Sequence, residues 1–410
     1  RAPLWSRGLG DVYKRQELGT DIIRAKTSVE RAISDLRRGA LILLFDPLKR
    51  IAVIIQAAEL STAKGLELIS QLAGSEPSVV ITNRRSAAIR LNTETRQVIS
   101  VSIPSQGGIE LVHRLANPIF ESQDGFDPID QKELDNLPVV PEASDGLAPK
   151  AVQLVKFARL LPSVIFSRIP YAEMARLSGW SKSDSLLAVD ARLIDSLPEM
   201  RAQRLVKAVS AQVPLIDSEE TRLIAFRPVD GGEEHVAIVI GHPDVTQGVL
   251  VRLHSQCLPG DLLGSLRCDC GDQLRGAIKA ISEYGGGVVV YLAQEGRDIG
   301  LVNKLRAYNL QDLGSDTVEA NHQIGFEVDE RIYAPAAEIL KQLGIKKVKL
   351  LTNNPNKIDQ LASTGIEVVE RVKHAFPPNP HNREYLKTCL LYTSDAADEG
   401  LGVDLGGRRI

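Results

Sequence analysis

A large net charge of either sign is missing from this chain of 410 residues: 49 basic side chains stand against 52 acidic ones, a net charge of −3. A nucleic-acid coat or a membrane-surface binder needs a basic excess, so neither nucleic acid nor membrane is expected as a partner. Any attraction for an anionic substrate must come from a local cluster of cations. Long apolar runs are also lacking, and none approaches the roughly 18 residues of a membrane span. No charged-then-apolar signal segment opens the sequence. A soluble, cytoplasmic protein is the expectation. Repeats and low-complexity arrays are absent as well. Cysteine is scarce, with only Cys257, Cys268, Cys270 and Cys389. So few in so long a chain excludes a disulfide framework.

Both ends stand apart from the rest. Asp11–Gln16 (DVYKRQ) can be encoded by a DNA string whose reverse complement, read one base in, encodes Cys389–Thr393. Residues 1–16 and 389–410 are therefore expected to be translated sequencing-library adapters and are set aside from the fold. Cys389 is then no ligand, and the natural C-terminus is expected to be missing.

Between the ends, residues 27–103 alternate short apolar strands (ALILLF, SVVITN) with helical patterns (AISDLRRG, AAELSTAKGLELISQLAG), as an α/β layered unit does. Residues 120–150 are rich in Asp, Pro and Gly and read as an exposed linker or mobile loop. Residues 150–211 read as mostly helical, including PKAVQLVKFARLLP and MRAQRLVKAVSAQ. From about Leu215, the strands TRLIAFRPV, HVAIVIG and GVLVRLHS begin a further helix–strand alternation that runs to Glu370. The expected fold class is α/β with mixed sheets in two domains, 17–211 and 212–388, the second carrying a mixed sheet flanked by helices.

Three cysteines crowd into HSQCLPGDLLGSLRCDCGDQ. Zinc prefers thiolates, and three protein ligands leave a fourth tetrahedral position for the water of a hydrolytic site. A closed structural site would need a fourth protein ligand; His254 and Asp269 are the nearest, and neither has finger spacing. Ordinary buried thiols are the bland alternative, disfavoured by C-x-C with a third Cys upstream. His254 and His322 read as structural or substrate-adjacent.

VRLHSQCLPGDLLGSLRCDCGDQL at 251–274 resembles the zinc-binding signature of GTP cyclohydrolase II. So do YLAQEGRDIGLVNKLRAYNLQDLG at 291–314, DTVEANHQIGFEVDER at 316–331 and LLTNNPNKIDQL at 350–361. Together, in the family's order and spacing, they cover its whole catalytic domain. The resemblance implies that Cys257, Cys268 and Cys270 bind one Zn²⁺ per subunit and that a zinc-activated water attacks C8 of GTP. By the same resemblance, formate and pyrophosphate are expected to leave, and a diaminopyrimidine ribosylamine 5′-phosphate to be released in the first step of riboflavin biosynthesis. It further implies GTP contacts from Arg252, Leu253, His254, Ser255, Gln256, Gln273, Glu295, Gly296, Arg297, Thr317, Thr352 and Lys357. Asp329 is implied as proton acceptor and Arg331 as nucleophile on the α-phosphorus. Because Arg stays protonated, stabilisation of developing charge is the alternative role for Arg331. Tyr308 is implied near the zinc-bound water, Mg²⁺ with the triphosphate, and a homodimer as the assembly. One departure stands beside the first thiol, where the family carries Glu and this chain has Gln256.

VERAISDLRRGALILLFD at 29–46, and more weakly IIQAAEL and AVQLVKFARLLPSVIFSRI, resemble dihydroxybutanone phosphate synthase. That family holds Mg²⁺ on a carboxylate-rich loop after its first strand; here the stretch reads DPLKRIAVIIQAAE. A degenerate domain kept for dimerisation or stability is expected. The competing readings are a cyclohydrolase-like paralogue in another pathway, such as pyrimidine breakdown, and a zinc-stabilised nucleotide-binding regulator without turnover.

Overall fold

The computed structural model describes residues 27–91, 98–122, 125–126, 129–173, 186–229 and 231–383. Both adapter-like ends, and Cys389 with them, lie outside the described residues. The chain divides into two compact units: Arg1–Leu197 together with His322–Glu327, and Pro198–Asn321 together with Val328–Ile410.

Seven strands form the sheet of the first unit: β1 (Ile42–Asp46), β2 (Ile51–Ala57), β3 (Ser78–Thr82), β4 (Val98–Ser102), β5 (Val139–Pro141), β6 (Ser163–Ile169) and β7 (Leu187–Asp190). Their order is β5-β4-β3-β6-β2-β1-β7. Only β1 and β7 run parallel; the other neighbours are antiparallel. β2 reads IAVIIQA, an apolar run interrupted only at Gln56 and suited to a strand covered on both faces, and all but its first residue are buried. Helix α1 (Ala63–Ala73) starts on Thr62, whose hydroxyl accepts from the Gly65 amide, and stops at Gly74 with φ 69°. Helices α2 (Ile109–Ala116) and α3 (Leu147–Phe157) complete the covering layers.

Most of the stretch expected as a linker at 120–150 is built into this unit instead. Leu134, on the short helix Gln131–Asp135, is buried in the core, and β5 pairs with β4. Apolar side chains spaced through a polar stretch suffice to dock it. The segment His322–Glu327 also belongs here. The Thr82 hydroxyl donates to the Gly325 carbonyl at 2.8 Å, Arg85 Nη1 donates to the Gln323 carbonyl at 3.1 Å, and Arg84 forks onto Glu327 with contacts of 2.8 to 3.1 Å. Gly325 has φ 89°, and a Cβ there would lie 2.8 Å from Pro162 Cγ, so no other residue fits without displacement.

The second unit carries the other seven-stranded sheet: β8 (Leu205–Gln212), β9 (Thr221–Pro228), β10 (His235–Gly241), β11 (Val249–Ser255), β12 (Gly286–Leu292), β13 (Lys347–Leu351) and β14 (Glu367–Val372). The order is β8-β9-β10-β12-β11-β13-β14. Pairs from β8 through β10 to β12 are antiparallel, whereas β12, β11, β13 and β14 run parallel. The segment expected as a helix across MRAQRLVKAVSAQ splits into α4 (Leu197–Gln203) and the edge strand β8. Pairing with β9, from Leu205 opposite Pro228 to Gln212 opposite Arg222, overrides the local helix preference of Lys, Ala and Gln. The second compact unit begins at Pro198.

Side-chain alternation sorts β11 between two cores. Val249, Val251 and Leu253 pack with Ala336, Ile339 and Leu340 of helix α8 (Ala334–Gln342). Leu250 packs with Ala277, Ile278 and Ile281 of helix α5 (Cys270–Tyr284). Each fully buried aliphatic chain contributes about 1.5–3 kcal/mol. The carboxyl ends of β11, β12 and β13 therefore open on one edge, where α/β sheets bind ligands.

Candidate active site

Cys257 lies two residues beyond β11, and Cys270 opens α5, with Cys268 just before it. The three Sγ atoms lie within 4.8 Å of one another, and those of Cys257 and Cys268 are 3.7 Å apart. Gly260 lies against these thiols. A Cβ at Gly260 would stand 2.7 Å from Cys268 Sγ and 3.0 Å from Cys257 Sγ. Gly260→Ala is thus expected to strip bound metal from the purified chain while the far-ultraviolet spectrum stays that of the wild type; full metal content in this variant contradicts the geometry.

Three thiols this close cannot all ionise without a cation between them. Hydrogen bonds from the other two thiols, and then Lys304, hold Cys257 low, and those same hydrogen bonds to Cys257, with burial, drive the other two up, Cys268 to about 11 and Cys270 well above the usual thiol range. That donor set fits a thiophilic divalent ion such as zinc. Lys304 was not read from the sequence. Its Nζ lies 3.0 Å from Cys257 Sγ and 2.7 Å from Glu295 Oε1. Glu295 in turn accepts from the Leu258 amide at 2.6 Å. Tyr308, one turn after Lys304 on helix α6 (Leu301–Asp312), stacks under the Arg267 guanidinium at 4.9 Å. Burial pushes its phenol up to about 12, so it remains a donor at neutral pH.

Asp261, also missed, organises the first loop. It accepts from the Cys257 amide at 2.9 Å and the Tyr291 hydroxyl at 2.8 Å, and it meets His254 Nε2 at 3.0 Å. His254 is thereby tied into the scaffold beneath the thiols, while the Ser255 hydroxyl is buried without a hydrogen-bond partner. The Gln256 backbone amide donates to the Leu292 carbonyl at 2.8 Å.

A second cluster gathers cations. Arg252, 5% exposed, donates to the Leu351 carbonyl at 2.9 Å and to Gln273 Oε1 at 2.5 Å. Gln273 lies one turn beyond Cys270 on α5, so one helix end serves both clusters. Burial lowers Arg252 to about 10, which still leaves it charged at neutral pH. Lys357 is buried on helix α9 (Pro355–Ser363) and donates to the Leu253 carbonyl at 3.2 Å. Burial, with Arg252 and Arg331 nearby, holds its pKa well below the usual ammonium range, a cost that an arriving anion would relieve. Thr352 leaves β13 with its hydroxyl accepting from the Asn354 amide at 3.0 Å.

The loop after β12 is sharply bent. Gly296, Arg297 and Asp298 all have positive φ, 64°, 60° and 73°. Arg297 Nη1 donates to the Val328 carbonyl at 3.0 Å, next to Asp329. Asp329 accepts from the Arg331 amide at 3.0 Å and from its Nε at 2.8 Å. Burial works to raise the Asp329 carboxyl, but Arg331 outweighs it and holds the group below its ordinary value. Thr317 stands farther along, accepting at 3.3 Å from Gln311 on α6.

A family model described as GTP cyclohydrolase II matches residues 206–373. A GTP cyclohydrolase-2 of Azospirillum brasilense is 45% identical over 367 residues, covering 89% of this chain and 92% of the relative. The chain belongs to the GTP cyclohydrolase II family. A riboflavin biosynthesis protein RibBA of Chlorobium phaeovibrioides is 36% identical over 387 residues, covering 88% of this chain and 94% of that one. Among solved structures, RibBX of A. baumannii, a two-domain 3,4-dihydroxy-2-butanone 4-phosphate synthase, aligns at 16% identity with a TM-score of 0.32, covering 85% and 99% of the two chains.

Within this family member, His374 supports the cation cluster from behind. Its Nε2 meets the Gln273 carbonyl at 2.9 Å, and its backbone exchanges bonds with Asn353. Burial, aided by the charge of Arg252, lowers His374 from 6.5 to about 4. The unfolded chain binds that proton first, so stability from this site is complete above about 6.5 and is lost as pH falls toward 4. Denaturant titration at pH 7 and pH 5 is expected to show His374→Gln losing about 1–2 kcal/mol less on acidification than the wild type; equal losses count against it. Among the described residues, no helix is long and apolar enough to cross a membrane.

Proposed function

We propose that the second unit hydrolyses GTP to formate, pyrophosphate and 2,5-diamino-6-(5-phosphoribosylamino)pyrimidin-4(3H)-one, the first step of riboflavin biosynthesis. The carrying observation is that α5 brings a three-thiol cluster and, one turn later, the partner of a buried arginine to the same sheet edge. Cys257, Cys268 and Cys270 would hold a zinc ion, which would supply Lewis-acid activation of water for hydrolysis of the purine ring. Lys304 holds Glu295 and Cys257 in register, and the protonated Tyr308 supplies a donor beside the thiols. Arg252, Lys357, Arg331 and the Arg297 loop supply charge for a triphosphate, which arrives with Mg²⁺. Asp329, ionised and held by Arg331, accepts a proton, and Arg331 either attacks or stabilises the α-phosphorus. Leu253, His254, Ser255, Gln256, Gly296, Thr317 and Thr352 complete the GTP-binding set, with a homodimer as the assembly.

The first unit serves stability or dimerisation rather than synthase chemistry. Where a Mg²⁺ site would need carboxylates, Ala52, Val53, Ile54 and Ile55 of β2 are instead buried in the sheet. Incubation of purified protein with GTP, Zn²⁺ and Mg²⁺ tests the whole reading. Formate and pyrophosphate together support it. A different product, the outcome Gln256 would favour, points to a paralogue in another pathway, and binding without either product points to a regulator.

A further inference from the structure

Tyr333 lies two residues after Arg331, at the start of α8, and is 2% exposed. Its ring touches two of the cations named above: Arg331 Cζ is 5.9 Å and Lys357 Nζ 5.8 Å from its centroid. Such spacing is a cation–π arrangement that fixes both side chains against one face of the core. The hydroxyl, however, is buried and has no hydrogen-bond partner. The contrast with Tyr291 is direct, because that hydroxyl donates to Asp261 at 2.8 Å. A buried hydroxyl without a partner is costly, and the cost disappears only when an acceptor arrives.

The surroundings restrict what that acceptor can be. Arg331, Lys357 and Arg252 leave an excess of positive charge around the ring, which favours an anion with several acceptor oxygens. Burial keeps the phenol protonated, pushing it up to about 12, so it can only donate to such a group at neutral pH. We infer that the Tyr333 hydroxyl donates a hydrogen bond to a phosphate oxygen of the bound nucleotide, between Arg331 and Lys357, and so orients the phosphate at which Asp329 and Arg331 act. This rests on the nucleotide reading of the same site and adds a donor to it.

Tyr333→Phe removes the hydroxyl and keeps the ring and both cation contacts. With full-length, zinc-loaded protein, binding of guanosine 5′-monophosphate and of guanosine is measured by calorimetry, alongside thermal melting of the free protein. We expect the monophosphate to bind about tenfold or more weakly to the variant, as loss of a hydrogen bond to a charged group does. Guanosine affinity should be unchanged, and the melting temperature unchanged or higher because an unmet polar group has gone. Unchanged monophosphate affinity, or equal losses for both ligands, overturns the inference and leaves the wider reading intact. A melting temperature lowered by several degrees also overturns it, since the hydroxyl would then already be bonded in the free protein. Wild-type protein that binds neither ligand removes the nucleotide reading, and this inference with it.

Discussion

Replacing Cys268 with alanine is expected to abolish formate release, lowering it at least ~1,000-fold, and to leave the purified chain without stoichiometric zinc. Two thiolates cannot hold the ion in a hydrolytic geometry, and the remaining pair, Cys257 with Lys304 3.0 Å away, would settle as an internal ion pair. Release of pyrophosphate should persist, because Arg252, Lys357, Asp329 and Arg331 take no ligand from the thiols. Products assayed separately distinguish the two outcomes. Formate at wild-type rates, or zinc at full occupancy, sinks the assignment of the cluster as the ring-opening centre.

Asp329→Asn should have the next largest effect, a fall of about 10²–10⁴-fold in turnover, in the range general-base catalysis contributes. The carboxylate has two tasks: its oxygens grip Arg331 through both backbone and side chain, and its charge makes it a base. Asn keeps one acceptor and loses the charge, so the guanidinium is left without its counter-ion. Zinc content should match the wild type, which separates this defect from collapse of the thiol cluster. Turnover within threefold of the wild type excludes Asp329 from the chemistry.

The strand ends that carry the site were legible because β12 (GGVVVYL) is an apolar run and β11 (VLVRLHS) opens on one before its polar end, and apolar runs need no partner to be recognised. The thiols were legible because Cys-x-Cys with a third cysteine upstream is scarce outside metal sites. Gly260 was not, since nothing in LPGD tells that a side chain there would press on the sulfurs of Cys257 and Cys268. Lys304 and Tyr308 are four apart on one helix, yet which charge the lysine meets depends on a loop from another strand. β8 was read as helical because its Lys, Ala and Gln favour a helix locally, and only pairing with the following strand, β9, decides otherwise. His322–Glu327 lies within the stretch that matches the cyclohydrolase family but is built into the first unit; linear order carries no sign of that.

The bend at Gly296, Arg297 and Asp298 has a consequence for how quickly a ligand can be captured. Three successive left-handed residues are costly to form, yet here Gly300 bonds back to Glu295 at 2.9 Å and Asp298 to Gln294 at 3.2 Å. The loop is therefore shaped during folding, and little wriggling freedom is left for an incoming molecule to quench. Encounter can then proceed as a rigid dock rather than a slow wrapping, with association set by diffusion and charge steering instead of by loop closure.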